Sequence, residues 1–322
     1  MKYLITGGLG FIGSHAVIQS VNEGNQCFVV DGYKIGSDEK HLSAVRNHKN
    51  LEIINCDIAD YKKLTDVIYA INPDIILHFA AESHVDRSIE NPNSFINSNI
   101  IGTFNLLECV RQSEYLRKNL KFIHISTDEV FGALGSTGSF FETSQIHPSS
   151  PYSASKAASD LMVLAWHKTY NLDVVVTNCS NNFGPHQAVE KFIPKSIRSL
   201  QKNVPVPVYG SGDNVRDWLY VKDHIGAIWA ILEKGRAGER YNIGGGTELS
   251  NLSLLKLLWS HIKNRVNTFS NFEDSFKFIA DRPGHDFRYS INYQKITKET
   301  GWIPQYEFHE ALIETIESYL YE

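Results

Sequence analysis

Adjacent carboxylates at the end of an apolar segment are the first group in this sequence whose types and spacing could carry proton chemistry. The stretch Ser126-Thr127-Asp128-Glu129-Val130-Phe131 follows Phe122-Ile123-His124-Ile125 and precedes Gly132. Because side chains in a strand alternate faces, Asp128 and Glu129 can address one substrate only if the strand ends and the backbone turns. An Asp-Glu pair taken alone is more often a solvated loop, because short motifs match by chance.

A tyrosine and a lysine four residues apart form the second such group. Ser150 and Pro151 are typical of a helix N-terminus, and they precede Tyr152 and Lys156. The spacing places both side chains on one helix face, about 6 Å apart along the axis. A lysine ammonium beside a phenol favours the phenolate, so Lys156 is predicted to lower the pKa of Tyr152 for general base catalysis. The pair could then remove a hydroxyl proton.

A glycine motif near the amino terminus predicts the cofactor. The strand-like run Tyr3-Leu4-Ile5 leads into Gly7, Gly10 and Gly13, and an apolar-periodic helix follows. Such glycines permit a tight turn, the approach of a pyrophosphate and close packing of helix on strand. A second strand ends at Asp31, which could accept the ribose hydroxyls of NAD and repel the 2′-phosphate of NADP, although Lys34 leaves NADP open.

Strands and helices alternate through the first 180 residues. Apolar strands are predicted at 51–56, 75–79, 122–125 and 173–179, with helices at 61–71, 92–111 and 152–170. This order predicts an α/β fold with a Rossmann-type doubly wound parallel sheet and ligands at the carboxyl ends of its strands. Residues 1–180 are predicted to form an NAD-binding domain with the catalytic residues. Residues 181–322 are predicted to form mainly a smaller substrate-binding cap, interleaved with the sheet.

The composition narrows the range of possible binding partners. The 322 residues are 42% hydrophobic and 21% charged, with a formal charge of −5 and a pI near 6.2, so neither nucleic acid nor a membrane is expected as a partner. The four cysteines have no metal-ligand spacing, which predicts no metal site and a reducing cytoplasmic location. The chain reaches Gly7 too early for a signal peptide, and no apolar run is long enough to span a bilayer.

Together these residues resemble the extended short-chain dehydrogenase/reductase superfamily and, within it, the nucleoside-diphosphate-sugar 4,6-dehydratases. The likeness covers nearly the whole chain, and three motifs carry it. They are Thr6-Gly7-Gly8-Leu9-Gly10-Phe11-Ile12-Gly13, Ala80-Ala81-Glu82-Ser83-His84-Val85-Asp86 and Asp281-Arg282-Pro283-Gly284-His285. The most specific segment is Ser126-Thr127-Asp128-Glu129-Val130, because related epimerases and decarboxylases usually lack its acid pair.

The resemblance implies a reaction with internal hydride transfer. Tyr152, with its pKa lowered by Lys156 and with Thr127 hydrogen-bonding the sugar, would take the proton of the hydroxyl on carbon 4 while NAD accepts a hydride. Glu129 would then remove the proton on carbon 5, and Asp128, as a neutral acid, would protonate the departing hydroxyl on carbon 6. The hydride would return to carbon 6, so NAD would stay bound. The implied substrate is dTDP-glucose or a UDP-sugar, either UDP-glucose or UDP-N-acetylglucosamine.

The same resemblance implies the residues that bind each ligand. The expected cofactor contacts are Gly7, Gly10, Phe11, Ile12, Gly13, Asp31, Asp57, Ile58, Phe79, Ala80, Ala81, Asn99, Tyr152 and Lys156. The expected sugar-nucleotide contacts are Ser83, Thr127, Asn181, Lys191, Pro207, Tyr209, Arg216, Asn251, Arg282 and His285. Helices over 92–111 and 152–170 are expected to pair with a second subunit, giving a homodimer with a four-helix interface.

Several alternatives stay open. The loop 132–148 is short and resembles that of dehydratases acting on UDP-sugars, so thymine and uracil nucleotides both remain, as does a 2-acetamido group on the sugar. The segment 32–37 lacks the pattern expected after Asp31, which leaves the contacts of the adenosine ribose undecided. A 4-epimerase or decarboxylase of the same superfamily is the rival activity, and a silent NAD(H)-sensing protein is the rival of another class.

Overall fold

The computed structural model describes residues 1–321, which form a sheet flanked by helices and a second group of shorter strands. The strands are β1 Lys2–Thr6, β2 Gln26–Asp31, β3 Leu51–Asn55, β4 Ile75–His78, β5 Lys121–Thr127, β6 Asp173–Cys179, β7 Asn181–Phe183, β8 Val206–Tyr209, β9 Val215–Tyr220, β10 Arg240–Ile243, β11 Glu248–Ser250 and β12 Phe276–Ile279. The α-helices are α1 Phe11–Asn22, α2 Tyr61–Ile71, α3 Val85–Glu90, α4 Pro92–Phe95, α5 Gly102–Gln112, α6 Glu114–Asn119, α7 Pro151–Tyr170, α8 Phe192–Gln201, α9 Val221–Lys234, α10 Asn251–Ile262, α11 Gln294–Thr300 and α12 Phe308–Leu320.

The main sheet has seven strands in the order β10-β6-β5-β4-β1-β2-β3, and every neighbouring pair is parallel. The order reverses between β1 and β4, which is where a doubly wound sheet opens a crevice at the carboxyl ends of its strands. One apolar core lies on each face of this sheet. The predicted fold class is therefore confirmed, and the predicted strands at 51–56, 75–79, 122–125 and 173–179 each match a strand of the sheet.

The carboxyl-terminal part adds two small sheets and a third apolar core. Strand β9 pairs in parallel with β7 and antiparallel with β11, and β8 pairs in parallel with β12. The chain returns to the main sheet at β10, which is paired with β6. Residues beyond 180 thus contribute to both parts, while the predicted domain boundary at residue 180 stays a prediction.

The predicted helix over 92–111 differs from the structure in its middle. A π-helical segment, Ile96–Ile101, joins α4 to α5 and carries the buried Asn99. A π-turn adds one residue to the helical turn and so redirects a side chain, often at a functional site. Hydrophobic periodicity cannot predict this extra residue, because the apolar residues on either side keep their helical spacing.

Two findings concern the whole described chain. Across residues 1–321, no helix is both long and apolar enough to cross a membrane. All four cysteines are buried and unpaired.

Candidate active site

A cavity of about 300 Å³ opens at the carboxyl ends of the strands of the main sheet. Its wall combines the glycine loop after β1, the ends of β2, β3 and β4, the turn after β5, the first turns of α7 and the segment after β6. Both groups of candidate catalytic residues therefore face one space. The predicted residues in the wall are Gly7, Gly10, Phe11, Ile12, Gly13, Asp31, Asp57, Ile58, Phe79, Ala80, Ala81, Ser83, Thr127, Asp128, Glu129, Tyr152, Lys156, Asn181 and Lys191.

The three motif glycines each occupy a position that a side chain would block or crowd. Gly7 has a φ of +69°, and a Cβ there would lie 2.7 Å from the backbone of Ala80. A Cβ at Gly13 would lie 2.3 Å from the carbonyl oxygen of Gly7, so helix α1 approaches β1 at close range. Gly10 meets only the Gly7 carbonyl oxygen, at 3.3 Å, and lines the cavity. Because the first turn of a helix leaves its N–H groups unpaired, this loop fits the pyrophosphate of NAD.

The carboxylate of Asp31 accepts hydrogen bonds from two segments of the cavity wall at the end of β2. Its Oδ2 accepts the N–H of Leu9 at 3.1 Å, and its Oδ1 accepts the N–H of Tyr33 at 2.9 Å and the hydroxyl of Ser37 at 2.8 Å. These bonds tie the glycine loop to segment 32–37, which sequence reasoning had left undecided. Lys34 pairs with Asp57 at 2.7 Å, so its charge is directed to a carboxylate that is itself part of the wall.

Asn99 holds the loop after β4, which is part of the cavity wall, through hydrogen bonds. Its Oδ1 accepts the N–H of Glu82 at 2.8 Å, and its Nδ2 donates to the Glu82 carbonyl at 3.0 Å and to the Ser155 hydroxyl at 2.8 Å. The amide thus fixes the loop after β4 against helix α7. A direct contact of Asn99 with NAD stays a prediction.

The acid pair lies in a 3₁₀ turn, Asp128–Phe131, that begins where β5 ends. The Thr127 hydroxyl accepts the N–H of Glu129 at 3.2 Å and lies 3.3 Å from Asp128 Oδ1 as a donor. This geometry confirms that the strand stops and the backbone turns at the carboxylates. The turn brings both side chains to the cavity, although they are neighbours in sequence.

The two carboxyl groups differ in their electrostatic surroundings. Burial raises the pKa of Asp128 well above its usual range, and the charges of Glu129 and Asp217 raise it further. Burial also raises the pKa of Glu129, but the cations Arg282, Lys191 and Arg216 oppose that rise. Asp128 is therefore the more readily protonated of the two carboxyl groups. The roles of Asp128 as acid and Glu129 as base stay predictions.

The expectation that Lys156 lowers the pKa of Tyr152 is wrong for this structure. Burial raises the pKa of the phenol well above its usual value, and the nearby Glu129 adds to the rise. Lys156 directs its ammonium to the carbonyl oxygen of Ile125, at 2.7 Å, and burial lowers its own pKa to about 8. Tyr152 is thus a protonated phenol beside an anion until further positive charge enters the cavity.

Three cations oppose the rise in the pKa of Glu129. Lys191, Arg216 and Arg282 all stabilise its charge, although they come from distant segments. Each is held by oxygen atoms: Lys191 donates to the Ser83 carbonyl at 2.8 Å, and Arg216 donates to the carbonyl of Asp286 at 3.0 Å. These bonds orient the cations before any ligand binds.

Tyr209, Arg282 and His285 form a second polar cluster together with Asp86. The Asp86 carboxylate accepts from Arg282 Nη1 at 3.1 Å and from the Tyr209 hydroxyl at 3.2 Å, and His285 bonds to Asp281 at 2.6 Å. Among the described residues, several predicted contacts lie outside the wall of the cavity itself. They are Asn99, Pro207, Tyr209, Arg216, Asn251, Arg282 and His285.

Sequence reasoning missed four charged residues at the site, Asp86, Arg87, Glu190 and Asp217. Asp86 pairs with Arg282, Glu190 pairs with Arg87 at 3.4 Å and lines the cavity, and Asp217 raises the pKa of Asp128. Burial raises the pKa of Asp217 itself to about 6. Asp86 ends a motif already singled out, and Glu190 precedes Lys191, so proximity to predicted residues was the available signal. Asp217 has no comparable signal except its neighbour Arg216.

Comparison with known proteins identifies the family. The model of the family GDP-mannose 4,6 dehydratase matches residues 4–315. The chain belongs to this dehydratase family. The dTDP-glucose 4,6-dehydratase of Haemophilus influenzae is 44% identical, with 100% of this chain and 98% of that protein covered. The predicted resemblance to nucleotide-sugar 4,6-dehydratases is thereby confirmed.

Solved structures extend the comparison. DesIV, a dTDP-glucose 4,6-dehydratase from Streptomyces venezuelae determined with NAD bound, is 40% identical with a TM-score of 0.92, covering 100% of this chain and 97% of DesIV. A UDP-glucose 4-epimerase from Thermotoga maritima, determined with UDP-glucose, is 28% identical with a TM-score of 0.88, covering 100% and 99%. Because dehydratases and epimerases share this fold, the cavity residues must distinguish the two activities.

Proposed function

We propose that this dehydratase-family chain is a dTDP-glucose 4,6-dehydratase, a hydro-lyase that uses bound NAD. The observation that supports the proposal is the pair Asp128 and Glu129, because its surroundings raise the pKa of Asp128 more strongly than that of Glu129. Loss of water across carbons 5 and 6 needs one acid and one base on the same substrate. An epimerase, which changes one carbon only, has no use for this pair.

The first step is removal of the proton on the carbon 4 hydroxyl. Tyr152 accepts this proton as general base, and the Thr127 hydroxyl, which lowers the pKa of the phenol, helps to orient it. When bound, NAD supplies the hydride acceptor, returns the same hydride, and in its oxidised form brings positive charge into the cavity. Burial and Glu129 disfavour the phenolate, so Tyr152 needs this added positive charge to act as the base.

The second step is loss of water. The Glu129 carboxylate removes the proton on carbon 5, and the neutral carboxyl of Asp128 protonates the hydroxyl that leaves carbon 6. The cations Lys191, Arg216 and Arg282 keep Glu129 ionised for this task and bind the diphosphate of the substrate. A single cluster of positive charge thus serves binding and catalysis together.

The sugar nucleotide is inferred from the relatives. Proteins named dTDP-glucose 4,6-dehydratase are 42–44% identical over 99–100% of this chain, in several bacteria. The test is incubation of the purified protein with dTDP-glucose, UDP-glucose and UDP-N-acetylglucosamine in turn, followed by mass spectrometry. We expect dTDP-glucose to yield a product lighter by one water, and Tyr152→Phe to yield none.

The same experiment separates the alternatives. A 4-epimerase would give a product of unchanged mass and altered stereochemistry, and a decarboxylase would act on a uronic acid instead. A silent NAD(H)-sensing protein would change none of the three sugar nucleotides. Loss of water from a UDP-sugar but not from dTDP-glucose would show that the substrate carries uracil rather than thymine. The reaction would still be a 4,6-dehydration.

We further propose a homodimer formed through the helical segment 92–112 and helix α7. Large apolar side chains on these helices are exposed, which supports an interface with a second copy. They are Ile96, Ile101, Phe104, Leu161 and Tyr170. Packing of two such segments against two others would give a four-helix arrangement, as expected by analogy with the superfamily. The buried unpaired cysteines support a reducing compartment, and a cytoplasmic location stays a prediction.

Sedimentation velocity tests the interface. We expect the protein to sediment as a dimer and Leu161→Arg to shift it towards monomer. Phe278→Arg is a matched control, because Phe278 is similarly exposed on strand β12. A wild-type protein that sediments as a monomer at micromolar concentration would contradict the proposal.

A further inference from the structure

A buried charged cluster lies behind the catalytic residues, and the proposed mechanism does not use it. Its centre is Asp160, fully buried on α7 one turn after Lys156. Asp160 Oδ2 accepts from Asn178 Nδ2 at 3.0 Å and from Arg240 Nη1 at 3.2 Å, and its Oδ1 lies 3.3 Å from His124 Nε2. A buried carboxylate is costly unless it is paired and hydrogen-bonded, so this cluster calls for an explanation beyond packing.

The hydrogen bonds and the pKa shifts together indicate which side chains of the cluster are charged. Ser159 donates its hydroxyl proton to the Lys156 carbonyl at 2.8 Å, so its oxygen accepts from His124 Nε2 at 3.1 Å. His124 is therefore a neutral ring protonated on Nε2, and burial lowers its pKa to about 4. Burial alone would raise the pKa of Asp160, but His124, Arg240 and Lys156 together hold it below its usual value. The cluster thus contains one anion, Asp160, between two cations.

The cluster also reaches the turn that carries the acid pair. Asn178 Nδ2 donates to the carbonyl oxygen of Thr127 at 2.9 Å as well as to Asp160, and Asn178 Oδ1 accepts from Arg240 at 3.1 Å. The Arg240 guanidinium lies over the ring of Phe131, at 5.6 Å, and Phe131 ends the same 3₁₀ turn. Both ends of the turn are thereby attached to one buried ion pair.

We propose that Asp160 is a positioning residue of this active site: its carboxylate lies one helical turn after Lys156 and, through Asn178 and Arg240, fixes the turn bearing Asp128 and Glu129. The catalytic meaning of the inference rests on the proposed function. The effect of Asp160 on the pKa of Lys156 involves only side chains of this protein. It can be measured without substrate turnover.

The electrostatic surroundings of Lys156 support this role. Burial is the main influence and lowers the pKa of Lys156, and Asp160 is the largest influence that opposes it. The Cys179 thiol acts in the same direction as Asp160, but burial raises its own pKa to about 12, so it is uncharged near neutrality. Burial lowers the pKa of both His78 and His124, and the Lys156 charge lowers both further, so these rings add no charge near Lys156.

The test is Asp160→Asn, which removes the charge and keeps the size. The ε-carbon resonance of Lys156, in lysine-labelled protein and assigned with Lys156→Arg, reports its ionisation directly. We expect the pKa of Lys156 to fall by roughly one unit or more, because an opposite charge at close range is lost. Asp223→Asn is the matched control: Asp223 is also buried and bonds the backbone of Gln305 and Tyr306, and its loss should leave the Lys156 titration unmoved.

A second variant covers the case in which Asp160→Asn does not fold because Arg240 is left buried and unpaired. The double variant Asp160→Asn with Arg240→Gln removes both charges, which proteins tolerate better than removal of one. Arg240 is not among the influences that set the pKa of Lys156, so the downward shift should persist. An unmoved Lys156 titration in either folded variant would overturn the proposal.

The pH profile links the same shift to the reaction. If the chain dehydrates a sugar nucleotide, the alkaline limit of substrate-dependent cofactor reduction should move to lower pH in Asp160→Asn, by the shift seen for Lys156. A matching titration shift without any substrate turnover would reject the proposed function and keep the charge coupling. A turnover profile that stays in place while Lys156 shifts would reject the catalytic role of Asp160.

Discussion

The cofactor side and the substrate side of the cavity are built in different ways. The cofactor side consists of short loops at the ends of consecutive strands in one parallel sheet, and close backbone contacts such as Gly13 on Gly7 define it. The substrate side consists of charged side chains from separate segments. Arg282 and its partner Asp86 are 196 residues apart, and Arg216 and the Asp286 carbonyl are 70 residues apart.

This difference predicts how substitutions on each side of the cavity affect ligand binding and the fold. A backbone cradle fails through steric overlap, which disturbs local packing as well as ligand binding. A set of converging charges fails one charge at a time, with loss of affinity and little change in fold. Asp128 and Glu129 lie between the two sides, where burial and the cations act on the same carboxyl groups.

The largest effect is expected for Glu129→Gln, which removes the base at the junction. Water loss should fall about 10²- to 10⁴-fold, the range typical of general base catalysis. Removal of this anion should also lower the pKa of Tyr152, because Glu129 raises it. Oxidation at carbon 4 should therefore persist, and absorbance of reduced cofactor should accumulate on mixing with substrate. Undiminished water loss would remove Glu129 from the mechanism.

Gly13→Ala should damage the cofactor side alone. The added Cβ would lie 2.3 Å from the Gly7 carbonyl oxygen, so the loop or helix α1 must shift. We expect a loss of about 1–3 kcal/mol in the free energy of unfolding, together with weaker NAD retention, measured by urea denaturation and by cofactor content after gel filtration. Gly135→Ala is the control, because its Cβ would meet no atom within 4 Å. Equal stability of the two variants would contradict a tight cradle.

The sequence could indicate for a physical reason which residues line the cofactor side of the cavity. A glycine loop, a strand end and an acidic residue are local patterns, and a parallel sheet brings successive strand ends to one edge. Gly7, Asp31 and Asp57 could therefore be placed in one cavity before their contacts were known, as the structure does. The turn at Asp128 was equally local, since an apolar strand stopped at two carboxylates.

The remainder could not be predicted, because it depends on contacts between distant segments. The π-turn that buries Asn99 leaves the helical spacing of apolar residues unchanged, and the pairing of Arg282 with Asp86 has no sequence signal. The pKa of Tyr152 was predicted in the wrong direction because spacing along a helix shows Lys156 but not burial or Glu129. The pKa of a buried group depends on every neighbouring charge and on burial, not only on residues of its own helix.

Arg282→Ala should weaken the substrate side and leave the cofactor side intact. It removes a charge that pairs with Asp86 and helps to keep Glu129 ionised. We expect KM for the sugar nucleotide to rise roughly tenfold, about 1.4 kcal/mol, with unchanged NAD content. Arg265→Ala is a suitable control, because Arg265 pairs with Glu317 away from the cavity wall. Loss of NAD from the Arg282 variant would show that the two sides are not separable.

Apart from its loss of water release, Asp128→Asn is expected to show the smallest effect of the four variants, and this effect concerns the free energy of unfolding. A carboxyl whose pKa is raised on folding contributes stability that is present at acid pH and is lost as the pH rises through its folded pKa. Asparagine cannot ionise, so the variant should match the wild type near pH 4 and exceed it by roughly 1 kcal/mol at alkaline pH, while losing water release. Thermal melting followed across this pH range measures the difference. A variant less stable than the wild type at alkaline pH would contradict the raised pKa of Asp128 and, with it, the unequal sharing of a proton between Asp128 and Glu129.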